Sequence, residues 1–191
     1  MATARRMLLV TALVSEAHAL AKTLHLARAS QSPAPQSTWQ SSQDDPEYRL
    51  LNVGLRAVYR HRLDDLFNHL SPAYPQALCI VGLAGALDPR LQVGDIVIDG
   101  PGDLGSPLAA PHAAPFRIQR GTIHTSGELV STPAAKAALF AQTAALAVDM
   151  EAALLAPFAA ARGIPAITIR AISDTAITPL HPRLLSLITP D

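Results

Sequence analysis

Two short blocks hold the residues best suited to chemistry: Val148-Asp149-Met150-Glu151-Ala152-Ala153 and Arg170-Ala171-Ile172-Ser173-Asp174-Thr175-Ala176. Each places an acid where a short apolar run ends. In an α/β protein the carboxyl end of a strand opens onto a ligand crevice. A carboxylate in a mostly apolar crevice is costly without a partner, so its presence there needs a reason. Two carboxylates delivered from successive strands suit chemistry on a sugar–base bond. Such a bond breaks through an oxocarbenium-like sugar. One acid can protonate the departing base, and an ionised carboxylate can accept strong hydrogen bonds from sugar hydroxyls.

The elements that must position these residues are legible along the chain. Met7–Leu13 reads as a buried strand, and Ser15 as the cap of a helix running to about Ala29, with Leu20, Leu24 and Ala27 at helical spacing. Residues 30–46, rich in Ser, Gln and Pro, read as a loop or hairpin tip. Tyr48–Val53 is a strand ending at Gly54, and Leu63, Leu66, Phe67 and Leu70 form a helical stripe stopped by Ser71-Pro72. Ala77–Val81 is a second buried strand, running into a small-residue loop over 82–89. Gly94-Asp95 turns the chain into Ile96-Val97-Ile98, and Pro101–Pro115 is loop-like. A strand is expected over Ile118–His124, then a helix from the cap pair Thr132-Pro133 to about Thr143. Leu146–Asp149 is a strand, and Glu151–Arg162 a helix kinked at Pro157 and stopped by Gly163. Ala166–Ile172, rich in β-branched residues, is the last strand, and the tail from Pro182 makes at most two helical turns. Alternation of strands and helices implies a layered α/β fold with parallel or mixed pairing. No internal repeat or domain boundary is visible, so residues 1–191 read as a single domain.

Composition narrows the function. The chain is 49% hydrophobic and 16% charged, with zero formal net charge. This is a globular composition, and the neutral balance argues against a general binder of nucleic acid or anionic membranes. Of the 15 basic residues only Lys22 and Lys136 are lysines, which reads as genome composition without functional content. The single cysteine, Cys79, lies in an apolar run and reads as a buried structural thiol. No Cys/His cluster has zinc spacing, so neither a metal nor another cofactor is expected. Arg5-Arg6 and the apolar run after them loosely mimic a signal peptide, but the run is short and Glu16 sits where a cleavage site is uncharged. A first strand explains the same residues, and a cytoplasmic protein without a membrane span is expected.

Five stretches together resemble the nucleoside phosphorylase/nucleosidase superfamily, which includes purine nucleoside phosphorylases and methylthioadenosine/adenosylhomocysteine nucleosidases. They are Ala12–Glu16, Gly82–Leu87, Val93–Val97, Val148–Ala152 and Arg170–Ala176, in family order across nearly the whole chain. Leu83, Leu87-Asp88-Pro89 and Ala145–Glu151 are most similar to the hopanoid-associated phosphorylases within it. The resemblance implies a three-layer α/β/α fold with a central mixed, mostly parallel sheet. It also implies an enzyme that cleaves the N-glycosidic bond of a purine nucleoside, with a 5′-modified adenosine as the expected substrate.

Residue by residue, the resemblance makes Asp174 the general acid towards the base, its pKa raised by burial, and Ser173 the residue that orients it. Glu151 is matched to the carboxylate that binds the ribose hydroxyls, with Met150 an apolar contact under the sugar. Val130 and Leu129 stand in a base-binding stretch where the family has a stacking aromatic; Val130 loses part of that stacking, on the order of 1 kcal/mol. Leu83 replaces a serine usual in the hydrolytic nucleosidases, which favours phosphate as co-substrate. Phosphorolysis needs an anion cradle of backbone N–H groups and arginines. Gly54-Leu55-Arg56 lies at the family's glycine turn, where Arg56 is either a phosphate ligand or a surface arginine. Glu16 matches the residue that activates water in the nucleosidases, so hydrolysis is the alternative. Arg170 reads as structural, tying the strand end to a carboxylate. A homodimer is implied, with nucleoside and phosphate as the small-molecule partners.

Taken singly, these residues have plainer readings. Glu151 is an acid at the positive end of a helix dipole, Asp174 a helix cap, Glu16 a solvated first-turn acid, and 82–85 a tight strand-to-helix connection. Three departures matter: the short run Ile177–Asp191 where the family has a long helix, Val130 in place of an aromatic, and Arg56 in place of a glycine. They keep a third reading open, a nucleoside-binding relative without activity. A dinucleotide-binding enzyme is poorly supported, because no Gly-x-Gly-x-x-Gly follows the first strand.

Overall fold

The computed structural model describes residues 6–30, 32, 37–41, 48–58, 61–68, 75–101 and 116–181. Among them are the strands β1 (Met7–Thr11), β2 (Ala27–Arg28), β3 (Thr38–Gln40), β4 (Tyr48–Asn52), β5 (Ala77–Ala86), β6 (Ile96–Asp99), β7 (Ile118–Arg120), β8 (Ile123–Thr125), β9 (Ala147–Asp149) and β10 (Ala166–Asp174). The helices are α1 (Val14–Thr23), α2 (His61–Asn68), α3 (Pro133–Thr143) and α4 (Ala152–Ala160). The hydrogen-bonded strand order is β2-β3-β4-β1-β5-β10-β6-β7, with β9 also on β5 and β8 on β9. The sheet is mixed: β1 is parallel to β4 and β5, whereas β9 runs antiparallel to β5 and β6 antiparallel to β10. The expected α/β class with a mixed sheet is what the chain adopts.

Two compact units divide the chain, Met1–Val81 with Leu154–Ile167 and Gly82–Ala153 with Thr168–Asp191. In the first, strand alternation sends Leu8, Val10, Leu51, Leu78 and Ile80 into one core with Leu63 and Leu66 of α2 and Leu155 and Ala159 of α4. Cys79 is buried in register with Leu9. Arg162 stacks on Phe158, 3.7 Å from the ring centroid, and pairs with Asp64 of α2 at 2.9 Å, tying the end of α4 to that helix. In the second unit Ala84, Ala86, Leu91, Val97, Ile123, Ala147 and Ile172 form one cluster; Leu87, Ala145 and Val148 form another, with Val130 and Phe140 against it. Many of these residues are small, so the strands pack closely and leave little room for variation.

Several boundaries differ from the sequence reading. Helix α1 begins after Leu13, with Ser15 already inside it, and ends at Thr23, well short of Ala29. His25 takes the left-handed conformation (φ 54), and the Leu26 and His25 N–H groups close on the carbonyls of Ala21 and Lys22. That is a Schellman stop made without glycine, and it frees Ala27–Arg28 for β2. The small-residue segment expected to loop from Gly82 instead continues β5 to Ala86, because β9 pairs with it at Gly85↔Val148 and Ala86↔Ala147. The single strand expected over 118–124 is two, β7 and β8, parted at Gly121-Thr122. A Cβ at Gly121 would lie 2.4 Å from Leu146 Cδ1, so a larger residue there would force the Leu146 side chain aside. By contrast, Thr132 caps α3 by accepting from the Ala135 N–H, with Pro133 in the first turn. Gly163 (φ 64) ends α4 as foreseen. The readings of 33–36, 42–47, 69–74, 102–115 and 182–191 lie outside the described residues.

The turn into β6 is held by acids that the sequence reading left without a role. Asp95 accepts from the N–H groups of Gln92 (2.9 Å) and Arg117 (3.0 Å) and from the Arg117 guanidinium (2.7 Å). Burial pushes its pKa up, but these donors together outweigh burial and hold it below the ordinary 3.8. The Arg90 guanidinium does the same for Asp88, though Arg90 is exposed and its pairing is screened by water. Because the folded-state values are depressed, this stabilisation is complete above about pH 4 and is lost as pH falls through them. Asp95→Asn should therefore lower stability by about 1–3 kcal/mol at neutral pH. Thermal melts from pH 7 to pH 2 should show the gap to wild type closing at the acid end.

Candidate active site

The second unit contains both sequence-singled blocks. Asp149 ends β9 and is buried. Oδ2 accepts from Arg170 Nε (3.0 Å), Arg170 Nη2 (2.5 Å) and the Ala152 N–H (3.1 Å); Oδ1 accepts from Thr125 Oγ1 (2.7 Å). Thr125 Oγ1 in turn accepts from the Ala153 N–H at 2.9 Å. Thr125 and Asp149 sit opposite each other in the parallel β8–β9 pair. Two side chains from adjacent strand ends thus satisfy the first free N–H groups of α4. Glu151 is consequently not needed as the helix cap. It is buried, and its Oε2 lies 3.6 Å from Arg170 Nη2. Arg170 is indeed the tie expected of it, with one guanidinium reaching both Asp149 and Glu151.

The second block closes the same strand. β10 runs through Ser173 and Asp174, and a turn rather than a helix follows, so these residues do not cap a helix. Alternation along β10 puts Arg170, Ile172 and Asp174 on one face, and all three are buried. The Cα atoms of Arg170 and Asp174 are separated by about 13 Å of strand rise. Glu151, at Arg170, and Asp174 are thus set along one face of a single strand. Ser173 Oγ lies 2.6 Å from Asp174 Oδ1 and 3.1 Å from the Ala84 carbonyl. A hydroxyl has one proton, and the shorter contact to the carboxylate takes it. A Cβ at Gly85 would lie 3.1 Å from Asp174 Oδ2 and 3.5 Å from Val148 Cγ1. Gly85 is therefore a place where strand backbone must come close to the acid.

The residue that sequence reasoning passed over is Lys136. It is completely buried, and its ammonium pairs with Asp174 Oδ2 while donating to the carbonyls of Thr175 (2.7 Å) and Thr178 (3.0 Å). An ammonium has three protons, and all three are accepted. The available signal was scarcity: one of two lysines in an arginine-rich chain, four residues after a helix cap.

The remaining candidates sit as follows. Met150, Leu129 and Val130 are half-buried, and Val130 packs with Leu87, Ala145 and Val148. Leu83 is exposed on β5, two residues before Gly85. Glu16, Gly54 and Arg56 belong to the first unit. Glu16 Oε2 accepts from the N–H groups of Leu13 (2.9 Å) and Ala12 (3.2 Å), half of a capping box whose other half the apolar Leu13 cannot supply. Gly54 is buried with φ 75, and Arg56 is exposed in a left-handed 3-10 turn over Leu55–Ala57. No cluster of His, Cys, Asp and Glu able to hold a metal occurs among the described residues. No helix among them is long and apolar enough to cross a membrane.

Residues 106–182, which carry both acidic blocks, match the sequence model of the phosphorylase superfamily. The chain resembles the nucleoside phosphorylase/nucleosidase superfamily. Its fold is that of solved nucleosidases. A 5′-methylthioadenosine/S-adenosylhomocysteine nucleosidase from Streptococcus pneumoniae superposes with a TM-score of 0.69 at 20% identity, over 95% of this chain and 89% of that one. The corresponding enzyme from Campylobacter jejuni gives 0.68 at 19% identity, over 96% and 92%. Futalosine hydrolase of Helicobacter pylori gives 0.68 at 16%, over 93% and 88%. No curated protein sequence matches the chain.

The Arg170 fork yields a stability prediction. A lysine has no planar pair of donors to meet Asp149 Oδ2 through both Nε and Nη2. Arg170→Lys should lower stability, and Arg170→Met, which leaves Asp149 without its counter-charge, should cost about 3–5 kcal/mol. Urea denaturation measures both, and a wild-type midpoint for Arg170→Met would show that the pair is energetically idle.

Proposed function

We propose that this protein cleaves the N-ribosyl bond of a purine nucleoside, with Asp174 facing the base and Glu151 the ribose. The observation that carries the proposal is the placement of Glu151 and Asp174 along one buried face of β10, with Ser173 Oγ 2.6 Å from Asp174 Oδ1. In this reading the C1′–N9 bond breaks with its electron pair passing to the purine, and Asp174, carrying a proton taken up from solvent, delivers it at N7 and is left as the carboxylate that Lys136 and Ser173 hold. The sugar passes through an oxocarbenium-like state, held by Glu151 through its 2′- and 3′-hydroxyls. Met150 lies under the ribose, and Leu129 and Val130 border the base.

Water is the acceptor this reading favours. Its oxygen bonds to C1′ and its proton passes to a general base; the nucleosidase and hydrolase names of the solved neighbours support water as the acceptor. Phosphorolysis is the second reading. It rests on Leu83, exposed on β5 where the hydrolytic relatives are expected to have serine. A 5′-modified adenosine is the proposed substrate class for either acceptor.

Purified protein incubated with 5′-methylthioadenosine should release adenine, followed by chromatography with and without inorganic phosphate. Equal release in both supports water; strict dependence on phosphate establishes phosphorolysis. Asp174→Asn should lower kcat by about 10²–10⁴-fold, and Glu151→Gln should act mainly through lost sugar binding. Adenine binding without any release from a panel of purine nucleosides would make the protein a binding relative and overturn the proposal.

A further inference from the structure

Lys136 is unexplained by the roles assigned above. It stands on α3, outside both acidic blocks and 38 residues before Asp174, with its ammonium entirely withdrawn from water. Burying an ammonium costs free energy that only complete hydrogen bonding and a counter-charge recover. Here the recovery is complete: Asp174 Oδ2 supplies the counter-charge, and the Thr175 and Thr178 carbonyls take the other two protons. Those carbonyls belong to the turn directly after Asp174. A single cation therefore fixes one oxygen of the acid and the chain that follows it, while Ser173 holds the other oxygen. Gly85 closes the remaining side, since a Cβ there would press on Oδ2.

Resting on the reading of Asp174 as the base-facing acid, we propose that Lys136 is a positioning residue for base departure, locking the Asp174 carboxylate and the 175–178 turn into one orientation. The lysine touches no substrate atom in this arrangement and acts only through Asp174. Without it the carboxylate keeps Ser173 but loses its anchor on Oδ2, and the turn loses the donor shared by its two carbonyls. Binding of the sugar, which falls to Glu151 at the other end of the face, does not depend on it.

The test is a double-mutant cycle with Lys136→Met, Asp174→Asn and the double variant, assayed on 5′-methylthioadenosine. Lys136→Met should lower kcat by on the order of tenfold or more with KM changed less than about threefold. Added to Asp174→Asn, it should cost nothing further, because the residue it acts through is already disabled. A 4-nitrophenyl riboside, whose phenolate departs without a proton, should be cleaved by Lys136→Met at the wild-type rate. Equal losses on both substrates, or an undiminished loss in the Asp174→Asn background, would show that Lys136 supports the fold alone. If Lys136→Met does not fold, the double variant, which removes both charges, is compared with Asp174→Asn. Failure of that protein to fold also overturns the proposal. Absence of base release from the wild-type enzyme would instead remove the functional reading itself, a separate result.

Discussion

A buried charge in an apolar unit must be matched donor for acceptor, and two such matches organise the second unit of this protein. Arg170 with Asp149 and Lys136 with Asp174 are all but excluded from water. Such pairs are poor sources of net stability, since well-packed apolar residues of similar volume do as well or better. What they supply is location. The Arg170 fork fixes the end of β9 against β10, and the ammonium of Lys136 fixes the end of β10 against α3. Between these two points lies the face that carries Arg170, Ile172 and Asp174.

The rest of the unit serves that requirement through size. Ala84, Gly85, Ala86, Ala145 and Ala147 are small where β5 and β9 approach β10, so main chain can come close to the carboxylates without a side chain intervening. At Gly85 this is explicit, because even a methyl group would crowd Asp174. The same smallness hid the strand. A run of Gly, Leu and Ala has little β propensity, and only pairing with β10 and β9, both distant in sequence, makes Gly82–Ala86 a strand.

What the sequence disclosed follows from how local each feature is. Thr132-Pro133, Gly163 and the β-branched run in β10 act within a few residues, and each was readable directly. His25 was not, since a left-handed stop on a non-glycine residue depends on the β2–β3 pairing that follows it. The acids at 151 and 174 could be singled out by type and by their position after apolar runs, and both are buried on the expected strand end or beside it. Their counter-ions divide in the same way. Arg170 lies in the same block as Asp174 and invited a structural reading. Lys136, 38 residues from its partner, carried no local sign of pairing.

The mixed sheet changes how the two acids come together. A simple parallel sheet would bring both to one edge because its strands share a direction. Here β9 is antiparallel to β5, and the carboxyl-end rule does not by itself account for the arrangement. The acids share a face because Arg170, four residues before Asp174, reaches out to Glu151 just past the end of β9. The spacing of Arg170, which meets Glu151, from Asp174 is thus set along the backbone by the rise of one strand, about 13 Å between Cα atoms, and not by the relative placement of two loops. Solved neighbours at 16–20% identity retain the fold, which shows how little of the sequence such a backbone dictates. A strand that measures the distance, with a cation fixing each end, is a constraint that can persist while most of the surrounding residues change.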